Sequence, residues 1–224
     1  MKPWIGDPPR VSAPVTPGHV LASHERFNIA TGAITGFVLI PFWAYLVVAA
    51  VRLSGGRSDY SVTFSMWTIV GGAFVGLILV PVVHEAIHGM AAVVCRTRPS
   101  YGIGPGFAYT TFHEPLRRVP YLFVGLAPLV VLTIACVVVA ARFDSIAGWF
   151  VFFAVINAGG AIGDLWMSWR IIRQPRCAIF YDLADGFAVL VPEHAVPARA
   201  APSRTERPSV STDEPQQPAR LPPC

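Results

Sequence analysis

The stretch Val80-Pro81-Val82-Val83-His84-Glu85-Ala86-Ile87-His88-Gly89 places two imidazoles and a carboxylate near the end of a run, residues 62–95, that holds no other charge. A helix needs about 20 apolar residues to cross a hydrocarbon core, so this run reads as a membrane helix carrying an ionisable cluster. Residues four apart share a helix face, which brings the rings of His84 and His88 together with Glu85 beside them. In this His-Glu-x-x-His spacing two histidines hold zinc and the glutamate serves as general base toward a neighbouring water. Ionisable groups inside a membrane segment are costly to bury and are usually functional.

The rest of the chain agrees with a membrane setting. Of its 224 residues 54% are hydrophobic and only 13% charged, and the mean hydropathy is +0.53; the apolar residues come in long runs rather than stripes. Segments 28–51, 62–83 (its helix continuing to about 95), 119–141 and 146–167 each suffice for a crossing. The expected fold class is an all-α membrane protein of about four transmembrane helices with short cytoplasmic β-hairpin segments. With the N-terminus inside, Lys2, Arg10, Arg26, Arg96, Arg98, Arg117, Arg118, Arg170, Arg173 and Arg176 lie on the cytoplasmic side. Only Arg52, Arg57 and Arg142 then lie outside, which favours cytoplasmic N- and C-termini. The arginines flank apolar helices without interleaved stacking aromatics, so nucleic acid is not an expected partner. Membrane lipids and a membrane-associated protein or peptide substrate are.

Three regions follow. Residues 1–27 and 192–224, rich in Pro, Ala, Ser and Arg, are expected to be disordered tails, and residues 28–191 form the transmembrane domain. Between the second and third helices, 101–112 carries glycines and β-forming aromatics that suggest an extended hairpin or re-entrant loop. Residues 177–191 read similarly, with Ala184-Asp185-Gly186 as the turn. Both pieces fall on the cytoplasmic side, where they are free to pair with one another.

Two histidines leave a catalytic zinc site short of a third protein ligand. Asp164 is the leading candidate. Counted from the outer ends of their helices at 1.5 Å per residue, His84 lies about 33 Å deep and Asp164 about 27 Å, both in the cytoplasmic third. The competing use for Asp164 is an ion pair with Arg170 or Arg173. His113 and Glu114 are rival ligands in the loop. Asn157, about two turns from Asp164, suits either a hydrogen bond to substrate or one between helices, and Asp182 and Asp185 read as turn residues. No Cys-x-x-Cys pair offers a thiolate site.

His84-Glu85-x-x-His88-Gly89, the Gly-rich loop before Thr111-Phe112-His113-Glu114-Pro115-Leu116, Leu126-Ala127-Pro128-Leu129, Asn157-x-x-Gly160-x-x-Gly163-Asp164-Leu165 and Arg173-Gln174-Pro175 together resemble the bacterial putative zincin peptidase family. These integral-membrane proteins are similar in motif layout to the site-2 proteases, and the resemblance spans residues 80–191. It implies Zn2+ held by His84, His88 and Asp164, with Glu85 as general base, in a multi-pass protein of the bacterial cell membrane that hydrolyses peptide bonds. Two other readings use the same residues. One is a non-catalytic membrane binding or assembly protein with a structural or vestigial zinc site, and the other is a zinc hydrolase of lipid-linked amides or esters.

Overall fold

The computed structural model describes residues 5–6, 9–56, 65–104 and 107–195. Strands β1 (Ile5–Gly6) and β2 (His19–Arg26) precede helices α1 (Ile29–Val38), α2 (Ile40–Leu53) and α3 (Met66–Phe74). A π-helical turn (Val75–Leu79) leads into α4 (Val80–Val94). Strands β3 (Pro99–Gly104), β4 (Phe107–Phe112) and β5 (Leu116–Arg117) come next, followed by α5 (Arg118–Arg142), α6 (Ala147–Gly160) and α7 (Ile162–Ile172). Strands β6 (Ile179–Leu183) and β7 (Gly186–Pro192) and a 3-10 turn (Glu193–Ala195) close the described chain.

The rod Met66–Val94, formed by α3, the π turn and α4, is long and apolar enough to cross a membrane, and so is α5. The pairs α1–α2 and α6–α7, bent by 52° and 46°, make four crossings if each pair is one span. Each irregularity has a local cause. Pro41 stands at the start of α2 and fixes the break from α1. Gly159 and Gly160 end α6, where the helix is weakest. Pro81 has no N–H for the carbonyl of Leu77 and its ring crowds that oxygen, and the π turn lies immediately upstream of α4. The outer faces carry exposed Phe37, Leu77, Ile78 and Ile134, while Val47, Val51, Cys136, Ala140 and Ala154 pack inside. Helix α1 meets α6 closely: a Cβ on Gly36 would lie 2.5 Å from the carbonyl oxygen of Gly159.

The all-α expectation is overturned by two antiparallel sheets, ordered β1-β3-β4 and β2-β7-β6-β5. Both expected hairpins form, yet they do not pair with each other. The second takes β2 on one side and β5 on the other. Residues 19–26, expected in a disordered tail, are therefore a strand, with Val20 opposite Val191 and Glu25 opposite Phe187. The reason lies in β7, where every residue from Gly186 to Val191 is buried. A strand apolar on both faces must be covered on both faces and paired at both edges. Of the remaining tail residues, 1–4, 7–8 and 196–224 lie outside the described residues.

Phe180, Phe187 and Val189 of this sheet form one core with Ala91 and Ala92 of α4, Tyr121 and Val124 of α5, and Ile171 of α7. The sheet thus rests on the ends of three helices, and Arg170 of α7 locks it by pairing with Glu25 of β2. Gly186 is needed at its position: φ is +152°, and a Cβ there would lie 1.9 Å from the carbonyl oxygen of Glu25. Gly186→Ala is expected to cost about 3 kcal/mol in strain and displaced pairing, seen as a lowered Tm in detergent with β2 more readily proteolysed.

Candidate metal centre

Helix α4 delivers His84 and His88 to its buried face, and α7 brings Asp164 against them at its first turn; each of the three is 8% exposed. The Nε2 atoms of the two histidines are 3.2 Å apart. One oxygen of Asp164 lies 3.1 Å from Nε2 of His84 and the other 3.5 Å from Nε2 of His88. Arg170 is engaged by Glu25, so Asp164 is not its ion-pair partner.

The other ring nitrogens fix the tautomers. Nδ1 of His88 lies 2.9 Å from the carbonyl oxygen of Val124, which can only accept. Nδ1 of His84 lies 2.8 Å from Oδ1 of Asn157, whose amide nitrogen donates to the carbonyl of Pro128 and to Thr133 Oγ1, both at 3.3 Å. Both Nδ1 atoms therefore carry the proton as donors, leaving lone pairs on both Nε2 atoms. Two imidazole lone pairs and a carboxylate, all acceptors, converge in a buried space. Such a set repels itself unless a proton or a metal cation lies between its members. Zinc ligands at 2.0–2.1 Å from a tetrahedral ion stand about 3.3 Å from one another, and the three separations above bracket that value. The donor set fits zinc, in both chemistry and spacing.

A second carboxylate is close. Ligand atoms of His84, Glu85 and His88 all lie within 4.8 Å of one another. Asp164 nonetheless has an oxygen against each Nε2, which leaves Glu85 beside the cluster, facing a cavity of about 190 Å³. That cavity is lined by Glu85, His88, Tyr109, Tyr121, Asp164 and Asp182, among others. The hairpin is tied to the helix here, since Thr110 Oγ1 donates to the carbonyl of Glu85 at 2.9 Å.

His113 and Glu114 are elsewhere. His113 bonds Ser100, and Glu114 accepts from Thr97 Oγ1 at 2.5 Å and from the Arg98 N–H at 2.9 Å, bonds that hold its carboxyl below the usual range. Asp185 sits in the β6–β7 turn as expected, but Asp182 does not: it lies in β6 and accepts from Tyr121 Oη at 2.9 Å. Burial pushes its carboxyl up to about 7, against the opposing pull of the Tyr121 hydrogen bond. Residues Val124, Tyr121, Asp182 and Thr110 are site neighbours that sequence spacing did not reveal. Only Asp182 carried a signal, a carboxylate at the fourth position of the otherwise apolar strand Ile179–Leu183.

The metal-free protein should consequently be pH-sensitive. Folded, Asp182 keeps its proton up to about pH 7, whereas the unfolded chain releases it near 3.8. The folded state binds more protons in that window, so stability falls as pH rises through it. Asp182→Asn should flatten this slope in chelator-treated protein, read from Tm between pH 4 and 8.

A family model described as Putative zincin peptidase matches residues 77–179. Over these 103 of its 224 residues the chain is similar to that family. The matched segment contains α4, β3 to β5, α5, α6 and α7, and so holds His84, Glu85, His88 and Asp164. Strands β2 and β7, which support it, fall outside the match. No curated protein and no solved structure matches the chain.

Proposed function

We propose that this chain is a membrane-embedded zinc metallopeptidase in which His84, His88 and Asp164 hold the ion and Glu85 is the general base. The observation that carries the proposal is the convergence of the two Nε2 atoms and the Asp164 carboxylate, 3.1 to 3.5 Å from one another in a buried space. Bound zinc supplies a Lewis acid and a water whose pKa is lowered toward 7. Glu85, at the cavity wall, takes a proton from the attacking water and passes it to the leaving amine. Asn157 and the Val124 carbonyl hold the two rings in the required tautomer.

Among the described residues strand β4 is the last of its sheet, and it borders the cavity beside Glu85. An extended peptide adding along β4 exposes its carbonyls to that wall, whereas a helical peptide hides them. The apolar outer faces of the helices and the arginine asymmetry support a multi-pass protein of the bacterial cell membrane with both termini cytoplasmic. Pairing of β2 with β7 brings the two ends of the membrane domain to one side, as an even number of crossings requires.

Proteoliposomes incubated with a peptide library and read by mass spectrometry test the reaction. Cleavage abolished by chelator and restored by zinc supports it; hydrolysis confined to lipid-linked amides or esters would replace the peptidase reading. Asp164→Asn should lower zinc affinity at least tenfold, since it removes the only charge among the three ligands.

A further inference from the structure

Helix α5 contains a proline in its interior, Pro128, which is fully buried. In an uninterrupted helix the N–H of residue 128 would bond the carbonyl of residue 124. Proline has no N–H, and its ring crowds the carbonyl four residues back. The carbonyl so deprived is that of Val124, the oxygen that meets Nδ1 of His88 at 2.9 Å. A buried carbonyl without a donor carries a desolvation penalty, and Val124 is 2% exposed. His88 supplies the missing donor, and in doing so is fixed with its Nε2 lone pair toward His84 and Asp164. The carbonyl of Pro128 itself accepts from Asn157, the residue that bonds Nδ1 of His84. One residue of α5 is thus linked to both rings.

We propose that Pro128 is a positioning residue for the metal centre: by withholding one helical N–H it reserves the Val124 carbonyl for His88 and sets the ring for ligation. This rests on the reading of His84, His88 and Asp164 as zinc ligands. Pro128→Ala restores the helical N–H as a competitor for the Val124 oxygen. Zinc affinity should fall about 10- to 100-fold, the range for losing a partner of a ligating histidine, while helix content is unchanged.

The discriminating variant replaces Pro128 with lactic acid, the hydroxy-acid counterpart of alanine. It lacks both the ring and the N–H. Zinc affinity would be measured on the detergent-purified full chain by competition with a chromogenic chelator. Weakened binding in Pro128→Ala with recovery to within threefold of wild type in the lactic acid variant supports the proposal. Equal weakening in both variants would assign the effect to ring packing and overturn it, as would undiminished binding in Pro128→Ala. If Pro128→Ala does not fold, the lactic acid variant decides alone, because near-wild-type affinity is then required of it. A wild-type chain that binds no zinc defeats the ligand assignment itself, a result distinct from either variant outcome.

Discussion

Zinc should be present at roughly one ion per chain in the detergent-purified protein and nearly absent from a His84→Ala/His88→Ala double variant, as elemental mass spectrometry would read it. The expectation follows from the geometry. Removing both imidazoles leaves Asp164 as a lone buried carboxylate and takes the partner from Asn157 Oδ1 and from the Val124 carbonyl. A single carboxylate in a cavity does not retain zinc against a chelator wash. If the double variant keeps its metal, the ion is bound elsewhere, and the convergence of lone pairs has another meaning. Zinc held by these three residues would link α4 to α7, so the double variant should also lack any Tm increase that added zinc gives the wild type.

Glu85→Gln should separate binding from chemistry. The amide keeps the size and the cavity-facing position of Glu85 but cannot take a proton from water. Metal content should stay at the wild-type level, while turnover of any peptide found cleaved falls by about 10²- to 10⁴-fold, the usual worth of a general base. The same variant should bind its substrate without cleaving it, which makes it the form to use for crosslinking in membranes. Turnover within tenfold of wild type would remove Glu85 from the proton transfer and direct attention to Asp182, another carboxylate on the cavity wall.

The parts of this arrangement that were legible in the sequence share a feature: their signal is local. His84 and His88 are one helical turn apart, and Asp164 is an isolated charge at the end of an apolar helix, so periodicity and depth were enough to relate them. The hairpin at 99–112 and the turn at Ala184-Asp185 were likewise marked by nearby glycines and β-formers. What escaped depends on residues far apart in the chain. The strand His-Val-Leu-Ala-Ser-His-Glu-Arg at 19–26 is too polar to declare itself, and it is ordered by β7 and by Arg170. Counting it as a tail made the fold look all-α. Asp182 resembled a turn residue because its partner, Tyr121, belongs to a helix that begins before the sheet strand is made. The hydrogen bond from His88 to Val124 depends on a proline four residues beyond the acceptor, on another helix.

The pairing of β2 with β7 also has a consequence for how the protein is made. His19 waits for Pro192 and Arg26 for Gly186, so the first long strand leaves the ribosome roughly 10–30 s before its partner at ordinary rates of synthesis. Until then the cavity beside Glu85 has no far wall, because that wall is built from Asp182 to Gly186. The nascent chain therefore carries its histidines and its glutamate through insertion before this wall stands beside them, and the cavity takes its final shape only when the last strand arrives.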